Sequence, residues 1–201
     1  MKFARNSAKD ISKEVDFRKS IEYIREAKQI ITQEFNLIKK RLISDFENHP
    51  VTREIEGGTS SSNLSGTLGG KGNLFSFIGF KYSDKPIEPI RGLLENIEIT
   101  SILTRRDGMA TTHVMYPTAD DIFRVTPLPW AEGRSWAKGI ENGISNFGQY
   151  LDLKSEASRS GRGLQNEKQE SGLTFSTTPY ISQLIKEFEK DIVDLNRKKI
   201  A

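Results

Sequence analysis

The chain has 201 residues, 35% of them hydrophobic and 28% charged, with no cysteine, and 30 Lys and Arg against 27 Asp and Glu leave a formal charge of +3. A chain of this length can bury roughly 70% of its unfolded surface, so residues 1–201 are expected to form a single domain without staples. The missing cysteines exclude disulfide scaffolds, thiolate zinc sites, iron–sulfur clusters and cysteine nucleophiles.

The charge is dispersed: residues 1–49 carry +3, 50–133 carry −2, and 134–175 and 176–201 carry +1 each. No segment is a polycation, and specific nucleic-acid binding is not expected. The first ten residues contain no apolar signal-peptide core, and no apolar run approaches the roughly 18 residues that a membrane span requires. A soluble protein without a membrane partner is expected.

Taken in chain order, the first signal is the strongest. Phe17, Ile21, Ile24, Ala27, Ile31, Phe35, Ile38, Leu42 and Phe46 recur at steps of three and four, which predicts a long amphipathic helix over 17–47. About 30 helical residues span roughly 45 Å, more than one small domain covers, so part of this helix is expected to pack on another subunit. Asn48-His49-Pro50 ends it, because the residue before a proline is pushed out of the helical region.

Residues 57–73 hold six glycines, four serines and one charge, Lys71, with only Leu64 and Leu68 to bury. That composition predicts a long mobile loop. The aromatic run 74–80 reads as a buried strand, and a short helix is expected near Arg91 and Glu95. Residues 96–104 and 109–116 read as an antiparallel pair joined through Asp107-Gly108, a strong hairpin signal. Thr118, Asp120 and Asp121 look like the cap and first turn of a short helix that stops before Pro127.

Four glycines between Trp130 and Leu151 argue against a long regular helix there. Residues 154–172 form a second long polar loop. After Pro179, the residues Tyr180, Ile181, Leu184, Ile185, Phe188, Ile192 and Leu195 step again by three and four, predicting a C-terminal amphipathic helix. Long helix, loop, clustered strands with short helices, loop and closing helix make an α+β layout with a small, mainly antiparallel sheet.

Candidate chemistry is sparse. Gly66-Thr67-Leu68-Gly69-Gly70-Lys71-Gly72 suggests a phosphate loop, but Gly66 stands one residue too close to Gly70-Lys71 and Gly72 replaces the required hydroxyl. His49 and His113 have no third nitrogen or sulfur ligand, and read as a helix-end residue and a strand-face residue. Asp120 and Asp121, with His113, are the one set that a small metal-dependent hydrolase or nuclease could use; caps are the plainer reading of the two carboxylates. None of Ser60, Ser61, Ser62, Ser155, Ser158 or Ser160 lies in a nucleophile elbow. Trp130 and Trp136 read as core or interface aromatics, and Asn63-Leu64-Ser65 as a chance glycosylation match. No catalytic, cofactor-binding or metal-binding residue is expected, and the chain is not expected to be an enzyme.

Two stretches carry a resemblance. His49-Pro50-Val51-Thr52-Arg53-Glu54-Ile55-Glu56-Gly57-Gly58 and the run from Gly66 through Lys71, Asn73, Phe75 and Phe77 to Phe80 resemble virion proteins of tailed bacteriophages. Thr178-Pro179-Tyr180-Ile181 before the last helix is similar to the ending of the same group. The families are the neck, tail-completion and tail-terminator proteins, including the minor tail protein Z type. The resemblance implies a structural subunit, made in the bacterial cytoplasm and built into the virion. It implies a homo-oligomeric ring at the head–tail junction, expected to be a hexamer, with other neck, connector, tail-tube or sheath proteins as neighbours. No contact residue is carried over from those families.

Overall fold

The computed structural model describes residues 21–69, 72–104, 110–129, 131–143, 151–152, 164–165 and 175–197. The architecture is α+β, with a long N-terminal helix, small antiparallel pairs and a closing helix. The chain divides into two compact units. The first comprises Met1–Ile38, Glu98–Met115 and Lys190–Ala201, and the second Lys39–Ile97 and Tyr116–Glu189.

Helix α1 (Ile21–Asn48) contributes to both units. Its expected stripe is the buried one: Ala27, Ile31, Phe35, Leu42 and Phe46 are buried, and Ile24 and Ile38 are half-buried. Phe17 lies outside the described residues. The helix stops at Asn48, and α2 (Pro50–Glu56) begins after a one-residue break. His49 sits in that break in an extended conformation, its Nδ1 accepting a hydrogen bond from the Val51 N–H at 3.3 Å. Pro50 occupies the first helical turn, where its missing N–H costs nothing.

In the first unit, β1 (Glu98–Thr104) pairs antiparallel with β2 (Ala110–Met115), as the sequence predicts, with an irregularity between Ile99 and Ser101. The turn at Asp107-Gly108 is outside the described residues. The outer edge of β2 meets a side chain: Asn196 accepts from the Thr112 N–H at 2.7 Å and donates to the Thr112 carbonyl at 3.2 Å. One amide thus satisfies both backbone groups of Thr112, as a neighbouring strand would. Asn196 belongs to the closing helix α7 (Ile181–Arg197), which also contributes to both units.

The second unit is built on aromatic contacts. Tyr180 is fully buried, 6.3 Å from both Phe46 and Trp136 by ring centroids, and Phe80 meets Trp136 edge-on at 5.9 Å. The Tyr180 hydroxyl is 2.8 Å from Thr52 Oγ1, so the buried phenol has a partner, and burial raises its pKa. His49 lies against the same ring at 4.8 Å. Every expected apolar position of α7 is buried, from Tyr180 to Leu195. Trp136 opens α6 (Trp136–Asn142) from the core, while Trp130 is outside the described residues.

One expectation fails. The run 74–80 is not a strand. It contains a short helix, α3 (Leu74–Ile78), whose N-cap Asn73 accepts from the Ser76 N–H at 2.9 Å. Gly79, at φ 85, closes it in the left-handed conformation that glycine takes at no steric cost. All five helical residues are buried, so no polar face marks a period, and a short apolar run of this kind looks the same in either element.

The stretch 57–73 also has more internal anchorage than its composition implies. A 3₁₀ turn spans Gly58–Ser60, Thr67 and Leu68 are buried, and the Thr67 carbonyl accepts from the Ser176 N–H at 2.8 Å. Lys71 and nearly all of 154–172 lie outside the described residues; Leu164–Gln165, as β6, pairs with β5 (Leu151–Asp152).

The two short helices that the sequence predicts are both present in the second unit. Helix α4 (Glu88–Glu95) receives Lys39 at its C-terminal end, where Nζ donates to the carbonyls of Glu95 and Ile97 at 2.6 and 2.9 Å. Helix α5 (Ala119–Arg124) starts on Thr118, and the short strands β3 (Pro127–Leu128) and β4 (Ala131–Ser135) lead into α6.

Candidate functional site

A cleft of about 440 Å³ opens on the second unit between the end of α2 with its following turn, and the segment that leads into α4. Its floor is apolar, formed by the buried side chains of Ile55, Phe75 and Ile87. The walls carry Glu56, Asp84 and Glu88 against one cation, Lys85, and Tyr82 stands at the edge with 89% of its surface exposed.

Two buried or half-buried hubs hold the walls. The first is Glu54, on the opposite side of α2 from Glu56 and completely buried. Its Oε1 accepts from the Leu74 N–H at 2.7 Å and from Asn63 Nδ2 at 3.0 Å, and its Oε2 accepts from the Ser65 N–H at 2.7 Å. A buried carboxylate is tolerated when its oxygens are saturated in this way. Asn73 adds to the same wall: its Nδ2 donates to the carbonyls of Thr59 and Ser61 at 3.2 and 3.1 Å while its Oδ1 caps α3. The glycine- and serine-rich turn that walls the cleft is therefore tied down by side chains on either flank.

The second hub is Arg91 on α4. Its Nε and one terminal nitrogen grip both oxygens of Glu47 at 2.7 and 2.9 Å, and its terminal nitrogens also reach Glu56 at 2.8 Å and Glu88 at 2.6 Å. The guanidinium holds the Glu47 carboxyl below its ordinary pKa through these hydrogen bonds, and the carboxylates raise that of Arg91. Four carboxylates, Glu47, Glu56, Asp84 and Glu88, face two cations, Lys85 and Arg91, so the cleft and its support keep a net charge of −2.

A second concavity of about 410 Å³ has the opposite sign. Arg124, Arg134 and Lys138 line it with one carboxylate, Asp120. Lys138 lies over the Phe123 ring at 5.7 Å, and Arg124 pairs with Asp121 at 3.0 Å.

The residues singled out by sequence do not converge. Asp121 completes a capping box with Thr118: its side chain accepts from the Thr118 N–H at 3.0 Å and its own N–H donates to Thr118 Oγ1 at 3.2 Å. The Thr118 hydroxyl also donates to the Asp121 carboxylate at 2.7 Å, and that bond, followed by the one from the Thr118 N–H, lowers its pKa. Asp120 lines the basic concavity, and His113 is exposed on β2 in the first unit. Among the described residues no group of three His, Cys, Asp or Glu side chains could hold a metal ion. Asn63, read as a chance glycosylation match, is half-buried and bonded to Glu54.

Sequence reasoning passed over both hubs. Glu54 left a trace, since it stands three residues after Val51 on a stripe completed by Ile55, all buried, and just ahead of a loop rich in backbone donors. Arg91 left less: only Glu88 is near it in sequence, while Glu47 and Glu56 lie 44 and 35 positions away. Comparison with protein families, characterised proteins and solved structures found no match for this chain.

Proposed function

We propose that the chain is a structural subunit of a tailed-bacteriophage virion, a neck or tail-completion protein that works by associating with copies of itself in a ring. The class of particle rests on the sequence resemblance at 49–58, 66–80 and 178–181. The mode of association rests on one observation, the two-stranded ribbon of the first unit. Its outer β2 edge is occupied at Thr112 by Asn196, whereas β1 has no second neighbouring strand among the described residues.

An isolated two-stranded ribbon is marginal in water, and an unpaired strand edge is a template for another chain. The first unit also displays apolar surface: Ile30, Leu37, Leu103, Met115 and Val193 are all 46% exposed or more. Such residues gain by being covered. Identical subunits that join through two different surfaces close into rings when the rotation permits.

Negative-stain electron microscopy with mass photometry tests the reading. Closed rings of uniform size, formed by the protein alone or with connector and tail components, support it. A monomer under all these conditions overturns it.

A further inference from the structure

We propose that the acidic cleft of the second unit is the receptor for the N-terminal segment, residues 1–9, of a second copy of this chain. The inference rests on the self-association proposed above and names a second contact between the copies, in addition to the β1 edge.

The cleft has the features of a peptide-binding groove. Its floor of Ile55, Phe75 and Ile87 can bury an apolar side chain, and the flanking carboxylates are set in advance. Arg91 engages a single oxygen each of Glu56 and Glu88, and no described residue donates to the second oxygen of either. Those side chains are 51 and 56% exposed, so each presents an acceptor to solvent in a fixed orientation. Fixing them beforehand removes part of the ordering cost of a salt bridge. Arg91 does not neutralise the group, because Glu47 occupies two of its donors and the net charge of the set remains −2.

The occupant follows from charge complementarity within the chain. Residues 1–9 carry Lys2, Arg5 and Lys9, no acidic residue, and one aromatic side chain, Phe3. No other nine-residue window combines a net +3 with an aromatic residue next to a basic one. Phe3 suits the apolar floor, Lys2 and Arg5 the spare oxygens of Glu56 and Glu88, and the exposed Tyr82 ring offers a face to a cation. Charged rims of this type set partner choice and association rate more than raw affinity. An arm inserted into the next copy is a head-to-tail contact, the kind that generates rings.

Exchange of charge tests the proposal in the full-length protein. One variant carries Lys2→Glu, Arg5→Glu and Lys9→Glu; another carries Glu56→Lys and Glu88→Lys. Each alone is expected to associate about tenfold more weakly than wild type, since a few exposed ion pairs together reach that size. Mixed together, they are expected to form mixed assemblies, because the acidic arm of one now meets the basic cleft of the other. Restored association only when both changes are in one chain, with none in the mixture, would place the arm in its own cleft and overturn the proposal.

A synthetic peptide of residues 1–9 separates this from the ring reading. Saturable, salt-sensitive binding to wild type, lost in the Glu56→Lys, Glu88→Lys variant, upholds the cleft even if no ring forms. Rings whose stability ignores every charge change uphold self-association and overturn the arm. Unfolding midpoints close to that of wild type exclude misfolding as the cause. If the cleft variant unfolds early, Lys85→Glu, which deepens the negative charge without touching Arg91, is expected to strengthen peptide binding; weaker or unchanged binding overturns the proposal.

Discussion

Substituting Glu54 by Gln isolates the carboxylate that anchors the cleft wall, because shape is preserved and only one acceptor is removed. The two oxygens serve three donors: Leu74 N–H and Asn63 Nδ2 on Oε1, Ser65 N–H on Oε2. A glutamine can keep its oxygen where two donors converge, which turns its NH₂ against the Ser65 N–H. Hydrogen bonds to a charged acceptor contribute about 1.5–3 kcal/mol, and an orphaned buried donor costs a similar amount. The expected loss is therefore about 2–3 kcal/mol for Glu54→Gln, and about 3–6 kcal/mol for Glu54→Ala, which strands all three donors. Against a total stability of about 5–15 kcal/mol, the alanine variant approaches the limit of folding. Urea unfolding should show the glutamine variant's midpoint falling by about 1 M at unchanged slope. Amide exchange should quicken at Ser65 well before Leu74. A glutamine variant within 0.5 kcal/mol of wild type, or equal acceleration at both amides, would refute the assignment of Glu54 as the hub.

Further outcomes follow from the same contacts. Phe188 is 2% exposed with the Tyr116 ring at 5.4 Å, so Phe188→Ala is expected to cost about 3–5 kcal/mol in urea unfolding. The exposed Lys186→Ala on the same helix should stay within about 0.5 kcal/mol. Burial lowers the pKa of His49 in the folded chain, the hydrogen bond to the Pro179 carbonyl opposing it, so the unfolded state binds more protons just below pH 6.5. Stability should then fall as pH drops through that window, and His49→Gln should flatten the slope in melts between pH 5 and 8, a pattern about the unperturbed imidazole value. Replacing Asn196 by Leu leaves both backbone groups of Thr112 without their partner, at an expected cost of about 1–3 kcal/mol, with faster amide exchange at Thr112 than at Ile90 in the second unit.

Periodic elements were legible in the sequence and local chemistry was legible in part. Both long helices declare themselves because one face is buried and the other solvated, so Ala27 to Phe46 and Tyr180 to Leu195 keep the helical period. Thr118 and Asp121 were readable as a cap because a capping box closes within three residues. The run 74–80 failed for the converse reason: burial on every side of α3 erased the period, and the decisive residues were its two ends, Asn73 and Gly79. The cleft was not legible. Its charges come from Glu47, Glu56, Asp84, Glu88 and Arg91, which are assembled by packing, and composition alone read 57–73 as a loop without anchors. What anchors it is a glutamate that a polarity argument would have placed in solvent.

The central claim, self-association through the open edge of the first unit, is tested most directly by mass photometry of wild type beside Leu103→Lys, with electron microscopy of the same samples. Leu103 is 57% exposed on β1, and a lysine on an edge strand discourages pairing without disturbing the fold. Wild type is expected to populate closed rings and Leu103→Lys to remain monomeric with an unchanged unfolding midpoint. Wild type that stays monomeric even with connector and tail components, or a Leu103→Lys variant that forms the same rings at the same concentration, would contradict it.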